Sequence, residues 1–478
     1  MTENTRETVL DALPLAPRNP MPLRQQIKAL RMFHSGPEVL RDAGGPVTRI
    51  KLAPKWLAPV IVVTTSPQGA HDVLGRSDAI TERTRTHTEM RSLIGPNLFD
   101  VPHDEWLPRR RLLQPLFTKK HVRGYGGHMA QAADGIAESW PDGGDVDLDA
   151  ECRKLTLRAL GRSVLGIDLD AQSDRIAEPL RVMLQHVADR TAAPVRLPGW
   201  VPTRARRRAY AASATLRDLA ADVLRAVRED PDRDAPLVRA LIAATDPETG
   251  RGLTDEEIRD ELIVFMGAGH DTTATTLAYA LWQLGRHPEM QERVRAEAAA
   301  VGDRELGPDD VANLGYTVQV LHEALRLCPP GAASARLVMQ DIDVDGYRVE
   351  AGTMVVVGIY ALQRDPSLWE DATAFDPERF RPEVAKSMDR WQYLPFGAGP
   401  RTCVGDHFAM LELALALATV VRRTDIRSAD PEFPMAAPFT LVASAPVMAR
   451  VSRPTGQTTE NASGSAARPV SADNTVSP

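Results

Sequence analysis

The sequence predicts a mainly α protein with a small β region, folded as one unit around an unusually long central helix. Three observations carry this expectation. From about residue 104 onward helix-period segments dominate, and strand-like runs are few and short. One stretch, LTDEEIRDELIVFMGAGHDTTATTLAYALWQLGRH, reads as helix for roughly 32 residues, or about 48 Å at 1.5 Å per residue.

Taken in order, residues 1–20 are polar and proline-spotted and read as a flexible N-terminal segment. VTRIKLA and VIVVTT read as short strands joined by a proline-containing loop. Thr254 with Glu257 three residues later forms a capping box that places the start of the long helix. VQVLHEALRL is a further helix stopped by Pro329-Pro330, DVDGYRV a hairpin turning at Asp345-Gly346, and MVVVGIYAL a buried strand. The last long helix, about 404–423, follows a glycine-rich loop. Residues 453–478, rich in Ser, Thr, Ala, Gly, Asn and Pro without periodicity, read as a disordered tail. No repeat or linker interrupts 21–452, so that span is expected to be a single compact domain.

Composition narrows the function classes. The 478 residues are 43% hydrophobic, enough for a large core, and a net charge of −7 gives no footprint for nucleic acid. Cys152, Cys328 and Cys403 contain no C-x-x-C pair, which argues against a disulfide framework or structural zinc and for a reducing, cytoplasmic setting. The N-terminus lacks a signal-peptide pattern, and no 18 apolar residues run uninterrupted, so no membrane span is expected. LELALALATVV, the longest candidate, carries Glu412 and fits a buried helix.

The chemistry concentrates in FGAGPRTCVG, residues 396–405. Gly397 and Gly399 permit sharp turns and close approach to a flat group. Cys403 lies just ahead of a helix N-terminus, where free N–H groups and the dipole favour a thiolate, the form a metal requires. Arg401 is placed to meet an anionic group. A lone cysteine is ordinarily an inert buried hydrophobe, but F-x-x-G-x-R-x-C-x-G is a ten-residue pattern rarely met by chance. It resembles the thiolate loop of the cytochrome P450 family, the haem-thiolate monooxygenases.

That resemblance implies a cytochrome P450 fold with the long helix crossing a non-covalent b-type haem (iron protoporphyrin IX). Cys403 would be the axial iron ligand, with Phe396, Gly397, Arg401 and Gly405 against the cofactor. Within the long helix, Ala268-Gly269-His270-Asp271-Thr272-Thr273 matches the family's A-G-x-D/E-T-T motif. Ala268 and Gly269 would leave room above the iron, and Thr272 can return its hydroxyl to the carbonyl four residues back. Asp271 and Thr272 would be the proton-delivery pair. Glu323 and Arg326, with Asp376-Pro377-Glu378-Arg379-Phe380, resemble the family's E-x-x-R and P-E-R-F elements, implying a buried Glu323–Arg326–Arg379 network of structural role. Trp106-x-x-x-Arg110 and Arg336 resemble propionate contacts, although Pro108 departs from the usual helix.

The basic run 108–123 would form a docking face for a separate ferredoxin or flavodoxin-like donor, since nothing here resembles a flavin or nicotinamide domain. Segments near 85–101, 180–205, 263–272, 331–336 and 438–444 would line an apolar pocket for a terpenoid, steroid, fatty acid or polyketide. The expected reaction is insertion of one oxygen atom from O2. A peroxide-driven oxygenase or a haem-thiolate sensor without turnover are the alternatives, and the acid–alcohol pair argues against both. H-x-E at His87 and His103 also suggests a non-haem iron site, but two chance matches in one chain show how little that pattern means.

Overall fold

Residues 10–56, 58–76, 80–167, 174–192, 198 and 200–454 are described by the computed structural model. The chain is anchored earlier than the sequence suggests. Arg49 N donates to Pro17 O at 2.8 Å, Arg348 N donates to Pro14 O at 2.9 Å, and Ala16 is buried. The segment expected to be flexible over 1–20 is thus packed from about Pro14. Prolines there lack donors but still offer carbonyls to neighbouring backbone N–H groups.

Helix α1 (Leu23–Arg31) precedes strands β1 (Val47–Ile50) and β2 (Ile61–Thr64), which pair antiparallel with Val47 opposite Thr64. After β3 (Thr81–Glu82) come helices α2 (Arg85–Ile94), α3 (His103–Leu113), α4 (Lys119–Arg123), α5 (Gly127–Ser139), α6 (Leu148–Leu160), α7 (Asp174–Ala192) and α8 (Arg204–Glu229). The central helix α9 runs Asp255–Leu284, 30 residues. Its capping box is present: Thr254 accepts from Glu257 N, and the Glu257 carboxylate accepts from Thr254 N at 2.9 Å. Every residue of α9 from Thr273 to Leu284 is buried, because helices α5 and α6 and the C-terminal α11 below pack around it.

Helix α10 (Gly315–Leu327) leads to β4 (Ser334–Val338), the hairpin β5 (Ile342–Val344) and β6 (Tyr347–Val349), and β7 (Met354–Val357). The hairpin turns at Asp345 and Gly346, both with positive φ, as Asp-Gly in a two-residue turn requires. MVVVGIYAL is strand only to Val357; Gly358 ends it and Ile359–Leu362 turn as helix. The main sheet has the order β1-β2-β7-β4-β3. Helix α11 (Asp406–Arg423) follows the Cys403 loop, and its buried face packs on α5 and α9. Arg453 N donates to Asp142 Oδ1 at 2.8 Å, which ties down the last described turn. Residues 455–478, most of the expected tail, lie outside the described residues.

The network implied by E-x-x-R is formed. Glu323 and Arg326 are wholly buried, paired at 2.6 Å (Oε2 to Nε) and 2.7 Å (Oε1 to Nη2). Arg379 Nε lies 3.5 Å from Glu323 Oε1, and Asp376 N donates to the same oxygen at 2.9 Å. Arg326 also donates to the carbonyls of Gln363, Ala372 and Ala374. Glu323→Gln is expected to destabilise the fold by about 3–5 kcal/mol, the cost of stranding a buried charge. Urea unfolding followed by circular dichroism measures this; an unchanged midpoint would show that the pair is dispensable.

Candidate functional site

The Cys403 loop is shaped by backbone geometry before any cofactor is considered. Gly397 and Gly399 have φ of 68° and 75°. A Cβ at Gly399 would stand 1.7 Å from Leu74 O, so this position excludes any side chain, whereas Gly397 needs only the left-handed conformation. Cys403 N donates to Phe396 O at 2.9 Å, Gly397 N to Leu394 O at 3.0 Å, and Gly405 N to Cys403 Sγ at 3.3 Å. The sulfur therefore sits over a turn whose amides face it. Burial nevertheless pushes the Cys403 thiol up, against the pull of the Gly405 amide and Arg110. The Gly405 amide and Arg110 favour the thiolate, and metal binding would complete it.

Cys403 opens onto a cavity of about 1880 Å³. Every residue expected to touch cofactor or oxygen lines it: Trp106, Arg110, Ala268, Gly269, Asp271, Thr272, Arg336, Phe396, Gly397, Arg401, Cys403 and Gly405. In α9 the window is narrow. Ala268 is exposed to the cavity and its neighbours Gly267 and Gly269 are half-buried, just before the fully buried stretch from Thr273. A Cβ at Gly269 would meet only Leu160 Cδ1, at 3.4 Å. Thr272 Oγ1 donates to Ala268 O at 2.7 Å, as the motif implies, and Thr276 Oγ1 to Thr272 O at 3.0 Å.

Three arginines form a cationic rim. Arg110 Nη1 donates to Thr402 O at 3.0 Å, and Arg401 Nη1 to Val101 O at 2.9 Å. Arg336 donates to Ser334 Oγ and Ala335 O, both at 3.0 Å. Trp106 packs beneath the Arg401 guanidinium, 4.8 Å from ring centre to Cζ, so it supports the rim as well as lining the cavity. Pro108 is accommodated inside α3 without ending it.

Such a donor set fits haem. Among the described residues no cluster of three or more His, Cys, Asp or Glu is placed to hold a metal. A single cysteine facing a wide cavity with a cationic edge suits a metal that brings its own equatorial ligands and carboxylate tails.

Several functional residues carry no local signal in the sequence. Asp271 Oδ1 is held by Arg153 Nη1 at 2.5 Å, and Arg153 Nε by Asp149 Oδ2 at 2.7 Å, across the α6–α9 seam. His270 is buried, its Nδ1 3.0 Å from Thr156 Oγ1 and its pKa lowered to about 4 by burial. It is a neutral packing partner, not an iron ligand. The basic run 108–123 is only partly a surface: Arg109 is buried against Glu261 (2.7 Å) and Glu257 (3.3 Å), and Arg111 pairs with Asp246 and Glu248. Arg123 pairs with Asp309, which leaves Lys119 and Lys120 of α4 as its exposed cations, with His121 exposed beside them. Nothing within the run itself marks Arg109 as buried, since its partners Glu257 and Glu261 lie on α9.

The cavity also extends further than the expected segments. Ile27, Leu30, Phe33, Leu52 and Trp56 continue its lining toward α1, with Trp56 84% exposed at the edge. Of segment 180–205, the described part of α7 contributes Leu180, Met183 and Leu184, while 193–197 and 199 lie outside the described residues. Phe439 and Thr440 contribute from 438–444.

Fold and site together define a haem-thiolate protein. The chain belongs to the cytochrome P450 family, whose model matches residues 14–447. Among its relatives, cyclooctat-9-en-7-ol 5-monooxygenase of Streptomyces melanosporofaciens is 34% identical over 70% of this chain and 74% of that protein. Pentalenene oxygenase of Streptomyces avermitilis is 30% identical over 80% of this chain and 84% of its own. A crystal structure of a cytochrome P450DA heme domain superposes with a TM-score of 0.79 at 25% identity, covering 92% of this chain and 97% of that one. The protein is a cytochrome P450 monooxygenase with a haem cofactor, and no described helix is long and apolar enough to cross a membrane.

Loop 95–101 covers the cavity beside α9 through buried carboxyls. Glu261 accepts from Leu98 N at 2.9 Å, and Asn97 Nδ2 donates to Asp100 at 3.0 Å. Burial pushes Asp100 and Glu261 up to about 7 and Asp260 to about 6, despite Arg83, Arg91, Arg109 and Arg217 nearby. Because the folded state holds these protons to higher pH than the unfolded chain, stability falls as pH rises from about 4 through 7. Hydrogen-exchange protection of residues 95–101, corrected for intrinsic rates, is expected to drop between pH 5 and 8. Glu261→Gln should flatten that dependence; an equally steep one would remove these carboxyls as its cause.

Proposed function

We propose that this monooxygenase oxidises a cyclic terpenoid, taking electrons from a separate ferredoxin or flavodoxin-like protein, with Cys403 as the iron ligand and Asp271 and Thr272 as the proton-delivery pair. One observation carries the reading: the cysteine loop, the arginine rim and the α9 window all open onto one cavity whose remaining lining is mainly apolar. The terpenoid class is supported by relatives named for a cyclooctatenol and for pentalenene. A peroxide-driven enzyme or a sensor would have no use for an acid and an alcohol side by side at this window.

Bound haem would supply the activation of O2, from which one oxygen atom is inserted into the substrate. The chain's residues do the rest. Cys403 holds the metal, and Arg110, Arg336 and Arg401 are placed to pair with propionates. Apolar walls exclude water from the reacting carbon. Thr272, its hydroxyl hydrogen committed to the Ala268 carbonyl, presents oxygen lone pairs that orient water. Asp271 lies next in line. Its partner Arg153 cannot give up a proton near neutrality, so Arg153 holds the carboxylate, and Asp271 must turn from it to pass a proton toward Thr272.

Exposed Lys119, Lys120 and His121 of α4, which packs on α11 behind the cysteine loop, support an electron-donor site of modest size. Lys119→Glu with Lys120→Glu should raise the donor's KM, most at low salt, and leave the spectrum unchanged.

The reduced carbonyl complex is expected to show the red-shifted Soret band of thiolate ligation, and Cys403→Ser to abolish it. A histidine-type band in the native protein would overturn the ligand assignment. Asp271→Asn should slow turnover on the order of 10²-fold, the scale of a positioned acid, while Thr272→Ala diverts NADH electrons to hydrogen peroxide. Product, NADH and peroxide measured together test both; unaltered coupling in both variants would remove the pair from proton delivery.

A further inference from the structure

The cavity wall contains an imidazole that neither the cysteine loop nor the α9 window uses. His87, in the first turn of α2, lines the cavity together with Phe99 and Phe439. Its ring lies 5.1 Å from that of Phe99, which in turn lies 6.4 Å from Phe439, so the three form one aromatic wall. Phe99 is 39% exposed, which places this wall at open space rather than in packed core.

Two observations fix the state of the ring. Burial, with Arg83, Arg336 and Arg401 around it, pushes the His87 pKa well below its ordinary value, so the imidazole is neutral. A neutral imidazole has one N–H and one lone pair. Thr84 presents its hydroxyl oxygen to Nδ1 at 3.3 Å, and its backbone carbonyl also bonds the ring. A carbonyl only accepts, so we assign the ring proton to the Thr84 side, where Nδ1 lies, and the lone pair to Nε2.

A lone pair facing an apolar cavity distinguishes among ligands. It cannot bond an ionised propionate, which has no hydrogen to give, and it gains nothing from a hydrocarbon. It fits a hydroxyl. Resting on the terpenoid reading above, we propose that His87 is a specificity-determining residue that accepts a hydrogen bond from a hydroxyl on the substrate, so that the molecule oxidised here is a terpenoid alcohol. The reaction that supplies this substrate then leaves an alcohol behind, as an earlier oxygenation or the capture of water by a cyclising carbocation does.

Spin-state titration of the haem-loaded protein tests this without turnover. The probes are cedrene, its alcohol cedrol and cedryl methyl ether, with camphane and borneol as a smaller pair. In the native protein each alcohol should bind about three- to tenfold more tightly than its hydrocarbon, and cedrol more tightly than the ether, which has no O–H. His87→Phe keeps the aromatic wall and removes the acceptor. Its haem content and carbonyl spectrum should be native, the hydrocarbons should bind as before, and the alcohol preference should vanish. Equal preference in both proteins, or none in the native one, overturns the assignment. So does loss of haem with the preference intact, which would make His87 a cofactor anchor. If no probe shifts the spin state but a fatty acid does, the terpenoid reading fails, and this inference falls with it.

Discussion

The position of the reactive sulfur depends on a buried ion pair some 80 residues earlier in the chain. Glu323 and Arg326 satisfy each other, and Arg326 passes its remaining donors to three carbonyls, one of them Gln363 O at 2.8 Å. Gln363, itself fully buried, donates back to Leu325 O and Arg326 O and accepts from Leu394 N at 2.8 Å. Leu394 O then accepts from Gly397 N, the first turn of the cysteine loop. Two short links therefore tie that loop to α10. A buried pair is weak evidence of net stability, because replacing both partners by apolar groups often costs nothing. Here the geometry suggests another reason for it. No apolar pair could hold Gln363, and through it the loop, in a fixed register.

The same logic explains how α9 keeps a polar window in an apolar helix. From Thr273 onward every residue is buried, so any hydroxyl facing inward needs a partner within its own helix. Thr272 and Thr276 find one four residues back, whereas the buried Thr275 hydroxyl has none among the described residues. This leaves Thr272 able to accept but not to donate toward the cavity. An alcohol in that state orients water and does not compete with it.

Much of this was legible in the sequence where local rules decide the outcome. The capping box placed the start of α9, Asp-Gly placed the hairpin, and glycine spacing marked the cysteine loop, because each is a contact within a few residues. What was not legible depends on distant partners. Arg109 and Lys120 look alike in a basic run, yet one is sealed against Glu261 and the other faces solvent. Arg153 could not be paired with Asp271, 118 residues away, without the packing of α6 on α9. The N-terminal prolines read as a tail in sequence because their acceptor role appears only once strand edges lie beside them.

The two acids next to oxygen chemistry are treated differently by the fold, and the difference has a consequence. Asp149 is the more buried, and burial raises its pKa, but its carboxylate shares the guanidinium that holds Asp271. A planar guanidinium bridging two carboxylates is stable at both ends, so Asp271 cannot leave without leaving Asp149 the whole of Arg153's charge. That exchange lowers the cost of release, since Arg153 never becomes an unpaired cation in the seam. Removing Asp149 would therefore tighten the grip of Arg153 on Asp271, and removing Arg153 would loosen it. Asp149 and Asp271 thus share one cation, and both sit on helices that also wall the cavity.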